Sequence, residues 1–424
     1  MRSSLSTTVA LGVTGALAVK STSYHYMPVE FEYGPDSRVT ADITFGTAPA
    51  AKPVRVVMDS GSANFWVWSP DATVNWGSPY LGVTGPCNAK VPVSYDPAVS
   101  PNSILSNHTS GYAYAGNAKI VSGSQYANDT IMAVGGNGPI PNVQFALENF
   151  GLFKLGDNGS CVPPPYDEGI LGLSYYNATK TNGPSFRQNL FESGQIASKT
   201  VFMWFDKHLG ALGDLTGGIL FGAVDTSKYT GPLVEVENVV AEYDVGVYVA
   251  KPNITIGGQT FVPDNDYKCL VDSGAHADYL PFAYGSGLEE LFFNATGGQL
   301  LNYNGAGIVA FNGSCESIPQ DFHIKYTFAG VCGQTVDISV PLRNYARGLI
   351  DPQSTQDICL FNLELGGCTF GAPFQSAAAI LMDDEGDRVA FAQAAISEEG
   401  EGIADNSLTV IGLGQSVAFW DGLR

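Results

Sequence analysis

Apolar residues along the 424-residue chain fall in short runs, separated by clusters of Gly, Pro, Asn and Asp. Val54-Arg55-Val56-Val57-Met58 and Cys269-Leu270-Val271 read as buried strands, each running into a glycine-containing turn. Gly135-Gly136-Asn137-Gly138, Pro163-Pro164-Pro165 and Asn302-Tyr303-Asn304-Gly305 read as loops by composition. Helical spacing is confined to two short stretches, Ser185–Ser193 and Gly287–Phe293. The pattern predicts an all-β protein. Fifty glycines and 24 prolines agree, since so many turn formers suit short strands and not long helices. With 45% hydrophobic residues the chain is long enough for two cores of roughly 150 residues each.

The first residues differ. Met1-Arg2 precedes an apolar stretch from Val9 to Val19 that contains Ala16-Leu17-Ala18, a small-x-small exit. This predicts a secretory signal peptide over 1–20. Elsewhere the sequence holds no run approaching the roughly 18–20 apolar residues of a membrane span, so no stable membrane insertion is expected. Seven glycosylation sequons, at Asn107, Asn128, Asn158, Asn177, Asn253, Asn294 and Asn312, also fit an extracellular protein. Seven cysteines occur at 87, 161, 269, 315, 332, 359 and 368, none in a C-x-x-C pair or beside histidine at metal spacing. Disulfides with one thiol left over are expected, with no metal and no cofactor, and Cys269, in its apolar run, is the candidate free thiol. The formal charge of −21 sets the chain against nucleic-acid phosphates, so no nucleic-acid partner is expected.

One internal repeat carries chemistry. Met58-Asp59-Ser60-Gly61-Ser62-Ala63 returns as Val271-Asp272-Ser273-Gly274-Ala275-His276. Each copy ends a strand, and each is followed about a hundred residues later by an apolar-apolar-Gly turn, Ile170-Leu171-Gly172 and then Thr369-Phe370-Gly371. The same parts in the same order imply two lobes: 24–240 with the first aspartate, 241–396 with the second, and a tail over 397–424. A single Asp-Ser-Gly is most simply a β-turn. Two copies, related by pseudo-twofold packing, would bring two carboxylates to one seam. Such a pair cannot readily ionise twice, so one group acts as acid while the other acts as base. Gly61 and Gly274 would allow the close approach. Ser60 and Ser273 could bond across to the opposite loop, and Ser62 could bond the carboxylate beside it.

These residues resemble the pepsin-like aspartic proteases. Asp59 to Ser69, with its Trp66, is similar to the first active-site signature of that family, and Asp272-Ser273-Gly274 to the second. Asp167 to Leu173 and Phe370 to Phe374 resemble its two psi-loop segments, and Gly217 to Asp225 with Tyr229-Thr230-Gly231 the end of its first lobe. The resemblance covers roughly residues 28 to 396. It implies a bilobal pepsin-like fold with a central cleft, Asp59 and Asp272 as catalytic residues, and a hairpin flap over the cleft. Tyr114 is then the flap tyrosine, with Tyr112 as the alternative, and Trp66 buttresses it. Cys315 and Cys359 fall where the family's disulfide in the second lobe lies.

The pattern is broken in places. Ala275-His276 replaces the usual hydroxyl-bearing pair, Tyr-Ala-Gly stands in the flap, and about ten residues, with Lys20 alone basic, stand where a propeptide is expected. His276 is expected to be a satisfied structural group. In the tail, Ser397 to Gly402 reads as an acidic linker and Leu408 to Leu413 as one more strand. The expected function is that of a secreted, monomeric acid endopeptidase acting on polypeptide substrates. The alternative is an inactive pepsin-fold binding or inhibitor protein, and a two-carboxylate glycosidase fits the Asp-Ser-Gly repeat less well.

Overall fold

The computed structural model describes residues 24–396 apart from 35–36, 48–51, 76–87, 154–167, 178–182, 209–214, 240–245, 265, 332, 349–353 and 356, and beyond them 403 and 406–414. The signal stretch, Cys87, Cys161, Cys332, Asn158, Asp167, the triple proline and most of the tail lie outside the described residues.

Strands dominate, and they follow the hydrophobic pattern. His25–Glu32 alternates between buried and half-exposed positions, with Met27, Val29 and Phe31 facing inward. Its neighbours build one large sheet. From Tyr229–Val236 the sheet passes through Arg388–Ala394, Ala378–Asp383, Thr200–His208 and Leu215–Phe221 to His25–Glu32. It then continues through Arg38–Phe45, Val54–Asp59, Gly169–Gly172, Phe65–Asn75, Ile140–Phe153 and Lys119–Ala133. Chain between 247 and 370 forms two further sheets, one of seven strands and one of four. The last two strands of the core, Ala378–Asp383 and Arg388–Ala394, then return to the first sheet and tie the second lobe to it. The fold is bilobal, pepsin-like and all-β.

The sequence repeat is a structural repeat. Gly169–Gly172 lies between Val54–Asp59 and Phe65–Asn75, parallel to the first and antiparallel to the second. Thr369–Phe370 sits in the same way between Lys268–Val271 and Asp278–Leu280. Both Asp-Ser-Gly turns are therefore gripped on one side by a parallel strand arriving from far along the chain.

That pairing corrects the expectation of a free Cys269. Register places Leu270 opposite Thr369, so Cys269 sits beside Cys368, and the two form a disulfide with Cα atoms 4.5 Å apart. Periodicity could not find this, because the partner comes from 99 residues away. A second disulfide joins Cys315 to Cys359.

Helices cover Phe186–Glu192 and Gly287–Ala295, each capped by a serine hydroxyl, Ser185 on Gln188 N–H and Ser286 on Glu289 N–H. The third, Ala372–Gln375, is a single turn, too short for helical spacing to register. No helix among the described residues is long and apolar enough to cross a membrane.

The tail has a place. Leu408–Val410 pairs with Ala223–Asp225, and Ile411, 1% exposed, packs into a cluster containing Phe202, Trp204, Leu220 and Leu381. Ile411 N–H donates to Gly222 O at 2.9 Å. Ile411→Ala is expected to lower unfolding stability by about 3 kcal/mol, from lost burial and the cavity left behind. Denaturant unfolding of both proteins measures it.

Candidate active site

Each Asp-Ser-Gly turn holds its own carboxylate by a backbone donor. Gly61 N–H donates to Asp59 Oδ1 and Gly274 N–H to Asp272 Oδ1, both at 2.9 Å. The turns also hold each other. Ser60 N–H donates to Ser273 Oγ and Ser273 N–H to Ser60 Oγ, each at 2.9 Å. The hydroxyls donate onward, Ser60 Oγ to Val271 O at 2.9 Å and Ser273 Oγ to Met58 O. Both serines are fully buried, so this four-bond lock is shielded from water and its loss would leave several polar groups unpaired.

Gln375, which sequence analysis did not single out, extends the lock. Its Nε2 donates to Ser60 Oγ at 3.2 Å and to Phe370 O at 3.0 Å, tying the first turn to the second parallel strand. Asp278 acts nearby. Its Oδ1 accepts from Gly371 N–H at 2.7 Å and Phe374 N–H at 3.3 Å, and burial pushes its carboxyl well above the usual range. Neither residue has a sequence signature, because each acts on backbone that only the fold brings close.

The glycines set how near the carboxylates come. A Cβ on Gly61 would lie 2.5 Å from Asp272 Cγ, and one on Gly274 would lie 2.6 Å from Asp59 Oδ1. Such distances are closer than side-chain contacts allow, so each turn leaves room for the opposite carboxyl only without a side chain. Gly61→Ala is expected to displace Asp272 and lower turnover of a peptide by about 100-fold, with the melting temperature little changed.

The two carboxyls are not equivalent. Asp59 also accepts from Ser62 Oγ at 2.5 Å, whereas Ala275 at the matching position has no hydroxyl to offer Asp272. Burial, the Asp59 charge and a hydrogen bond with Asp59 hold Asp272 well above the ordinary carboxylate range. Two carboxyls this close cannot readily both ionise, so the pair as a whole favours holding one proton.

Trp66 and Tyr114 also meet. Trp66 Nε1 donates to Tyr114 Oη at 2.8 Å. Tyr114 ends the ascending strand Ser110–Tyr114 of a hairpin whose descending strand begins at Lys119. Tyr112 is instead buried against Trp66, Trp68 and Tyr126. His276 is half-buried, and its carbonyl accepts from Ser37 Oγ at 2.7 Å. Burial, with Arg38 and Arg347 nearby, pushes its imidazole down to about 4, so it is neutral through most of the acid range. Of the described sequons, Asn107, Asn177, Asn253, Asn294 and Asn312 are exposed, while Asn128 is half-buried within a strand.

Comparison with known proteins agrees with this geometry. The eukaryotic aspartyl protease family model matches residues 39–394. Probable aspartic-type endopeptidase opsB of Aspergillus oryzae is 24% identical over 86% of this chain and 70% of its own length. Candidapepsin-2 of Candida parapsilosis is 27% identical over 73% of this chain and 64% of its own. Pepsin B of the dog, Canis lupus familiaris, is 27% identical over 67% and 64%. The chain thus spans just under two thirds of the length of the last two. With the two Asp-Ser-Gly turns, their parallel strands and the family model all covering one stretch, the chain belongs to the eukaryotic aspartyl protease family.

Proposed function

We propose that the protein is a secreted acid endopeptidase that hydrolyses peptide bonds with water activated between Asp59 and Asp272. The observation that carries this reading is the glycine-cleared approach of the two carboxyls, which face each other from matching turns. Asp59, held by the Gly61 N–H and the Ser62 hydroxyl, acts as the base that takes a proton from water. Asp272 gives its proton to the carbonyl oxygen as the water oxygen bonds to the carbonyl carbon. Collapse of the tetrahedral species breaks the C–N bond, and the amine leaves with the proton that Asp59 gained. One hydroxyl of the diol returns its proton to Asp272 as the C=O bond re-forms, which leaves a carboxylic acid and restores the single shared proton of the pair. Ser60, Ser273 and Gln375 keep both carboxyls in register during the cycle.

The hairpin ending at Tyr114 serves as the flap over an extended polypeptide substrate, with Trp66 fixing the Tyr114 hydroxyl. The lobes divide near residue 240. Residues 1–20 act as the secretory signal, and the exposed sequons carry glycans. The chain works as a monomer. The strong acidic excess suits the proposed range, because protonating carboxylates at low pH relieves self-repulsion.

Digestion of a diverse peptide pool from pH 2.5 to 7, read by mass spectrometry, tests the reading. Internal cleavage peaking at acid pH is expected. Folded protein that cuts nothing anywhere in that range overturns it and leaves a pepsin-fold binding protein.

A further inference from the structure

The tip of the hairpin is costly to form. Ala115, Gly116 and Asn117 all adopt left-handed conformations, with φ of 47°, 63° and 69°. Two of the three are not glycine, so the turn carries backbone strain and needs support from outside itself. One support is the hydrogen bond from Trp66 to Tyr114. A cation provides another. Lys119 faces Tyr114 across the hairpin and Phe153 across the next pair of strands. Its Nζ lies 5.4 Å from the ring centroid of Trp66 and 5.6 Å from those of Tyr114 and Phe153. Trp66 is fully buried and belongs to the strand that leaves the Asp59 turn, so the contact joins the hairpin tip to the body of the lobe.

We propose that Lys119 is a positioning residue for the flap, its ammonium clamping the hairpin tip onto Trp66 and Phe153 so that Tyr114 stays in place. The inference rests on the reading of this hairpin as a substrate-covering flap.

Lys119→Met keeps the length and apolar stem but removes the charge. It is expected to raise KM for a peptide about fivefold, with kcat within about twofold of wild type, because the flap still closes but is held open more of the time. Amide hydrogen exchange over residues 111–119 should quicken by a similar factor, without substrate present. Lys119→Arg keeps a cation that stacks on rings and should restore both readouts. Unchanged KM and exchange in the methionine variant overturn the proposal, and so does an arginine variant that behaves like the methionine one. Should the methionine variant fail to fold, the arginine variant decides: wild-type KM and exchange support a charge-based clamp, and a raised KM overturns it. Exchange is independent of catalysis, so an absence of cleavage in every variant with exchange still responding to Lys119 condemns the protease reading and not the clamp.

Discussion

Asp59→Asn and Asp272→Asn are each expected to give a folded protein whose peptide turnover at acid pH falls by about 10³-fold or more. An asparagine can neither accept a proton from water nor share one with the facing carboxyl, so the cycle stops at its first step. Combining both substitutions should cost little more than either alone, since the two groups act as a unit. Folding survives because the amide matches the carboxyl in shape and the lock made by Ser60 and Ser273 does not involve either carboxylate. Asp272→Asn has a second expected effect. The Asp272 carboxyl is raised in the folded state, so it is at ease when protonated and costs stability once pH rises far enough to ionise it. The asparagine variant should therefore melt at higher temperature than wild type near neutral pH, and at nearly the same temperature near pH 3. Loss of activity with a gain in neutral-pH stability is a combination that a merely misfolded variant would not show.

Glu148→Gln should stabilise the protein near neutral pH by roughly 3 kcal/mol and change little below pH 4.5. Glu148 is completely buried, and neither of its oxygens has a hydrogen-bond partner among the described residues. It sits opposite Gly123 and Trp68 in the sheet, with Tyr112 and Tyr126 close by. Burial pushes its carboxyl up to about 7, and the nearby Ser110 hydroxyl offsets only part of that rise. The neutral acid is tolerated below the unfolded value of 4.5, and the stability it allows is lost as pH climbs through about 7. A buried, unpaired carboxylate near the Ser110–Tyr114 strand is then the penalty. Thermal melts from pH 3 to 8 read the effect. Wild type should lose stability across pH 4.5 to 7, and the glutamine variant should lose less. Parallel melting curves for the two proteins would refute the assignment.

The legible parts of the fold were those written locally. Met58-Asp59-Ser60-Gly61 and Val271-Asp272-Ser273-Gly274 each combine a buried strand with a turn of Asp, Ser and Gly, and their recurrence implies two related halves. The pairing of Ile170-Leu171-Gly172 and Thr369-Phe370 with those strands was legible only as a repeated order of parts. Other features depend on contacts that no local pattern encodes. Cys269 lies in an apolar run and reads as a buried thiol, yet register with a strand 99 residues away gives it a disulfide partner. Gln375 and Asp278 look like ordinary polar residues until the fold brings backbone donors and acceptors to them. Glu148 sits between apolar and polar neighbours in sequence and gives no sign that its side chain turns wholly inward. The tail reads as a strand without a place, because its partner, Ala223–Asp225, lies far away along the chain.

In the proposed mechanism Asp59 and Asp272 share one proton and use it in hydrolysis. The pH dependence of kcat/KM for a single peptide, from pH 2 to 8, tests this most directly. A bell with its maximum on the acid side is predicted, its low-pH limb marking protonation of the pair's remaining carboxylate and its high-pH limb marking loss of the shared proton. Both limbs should disappear, along with the activity, in Asp59→Asn and in Asp272→Asn. A profile that stays flat or rises toward neutral pH, or a bell that persists in either variant, would exclude a shared proton between these two carboxyls.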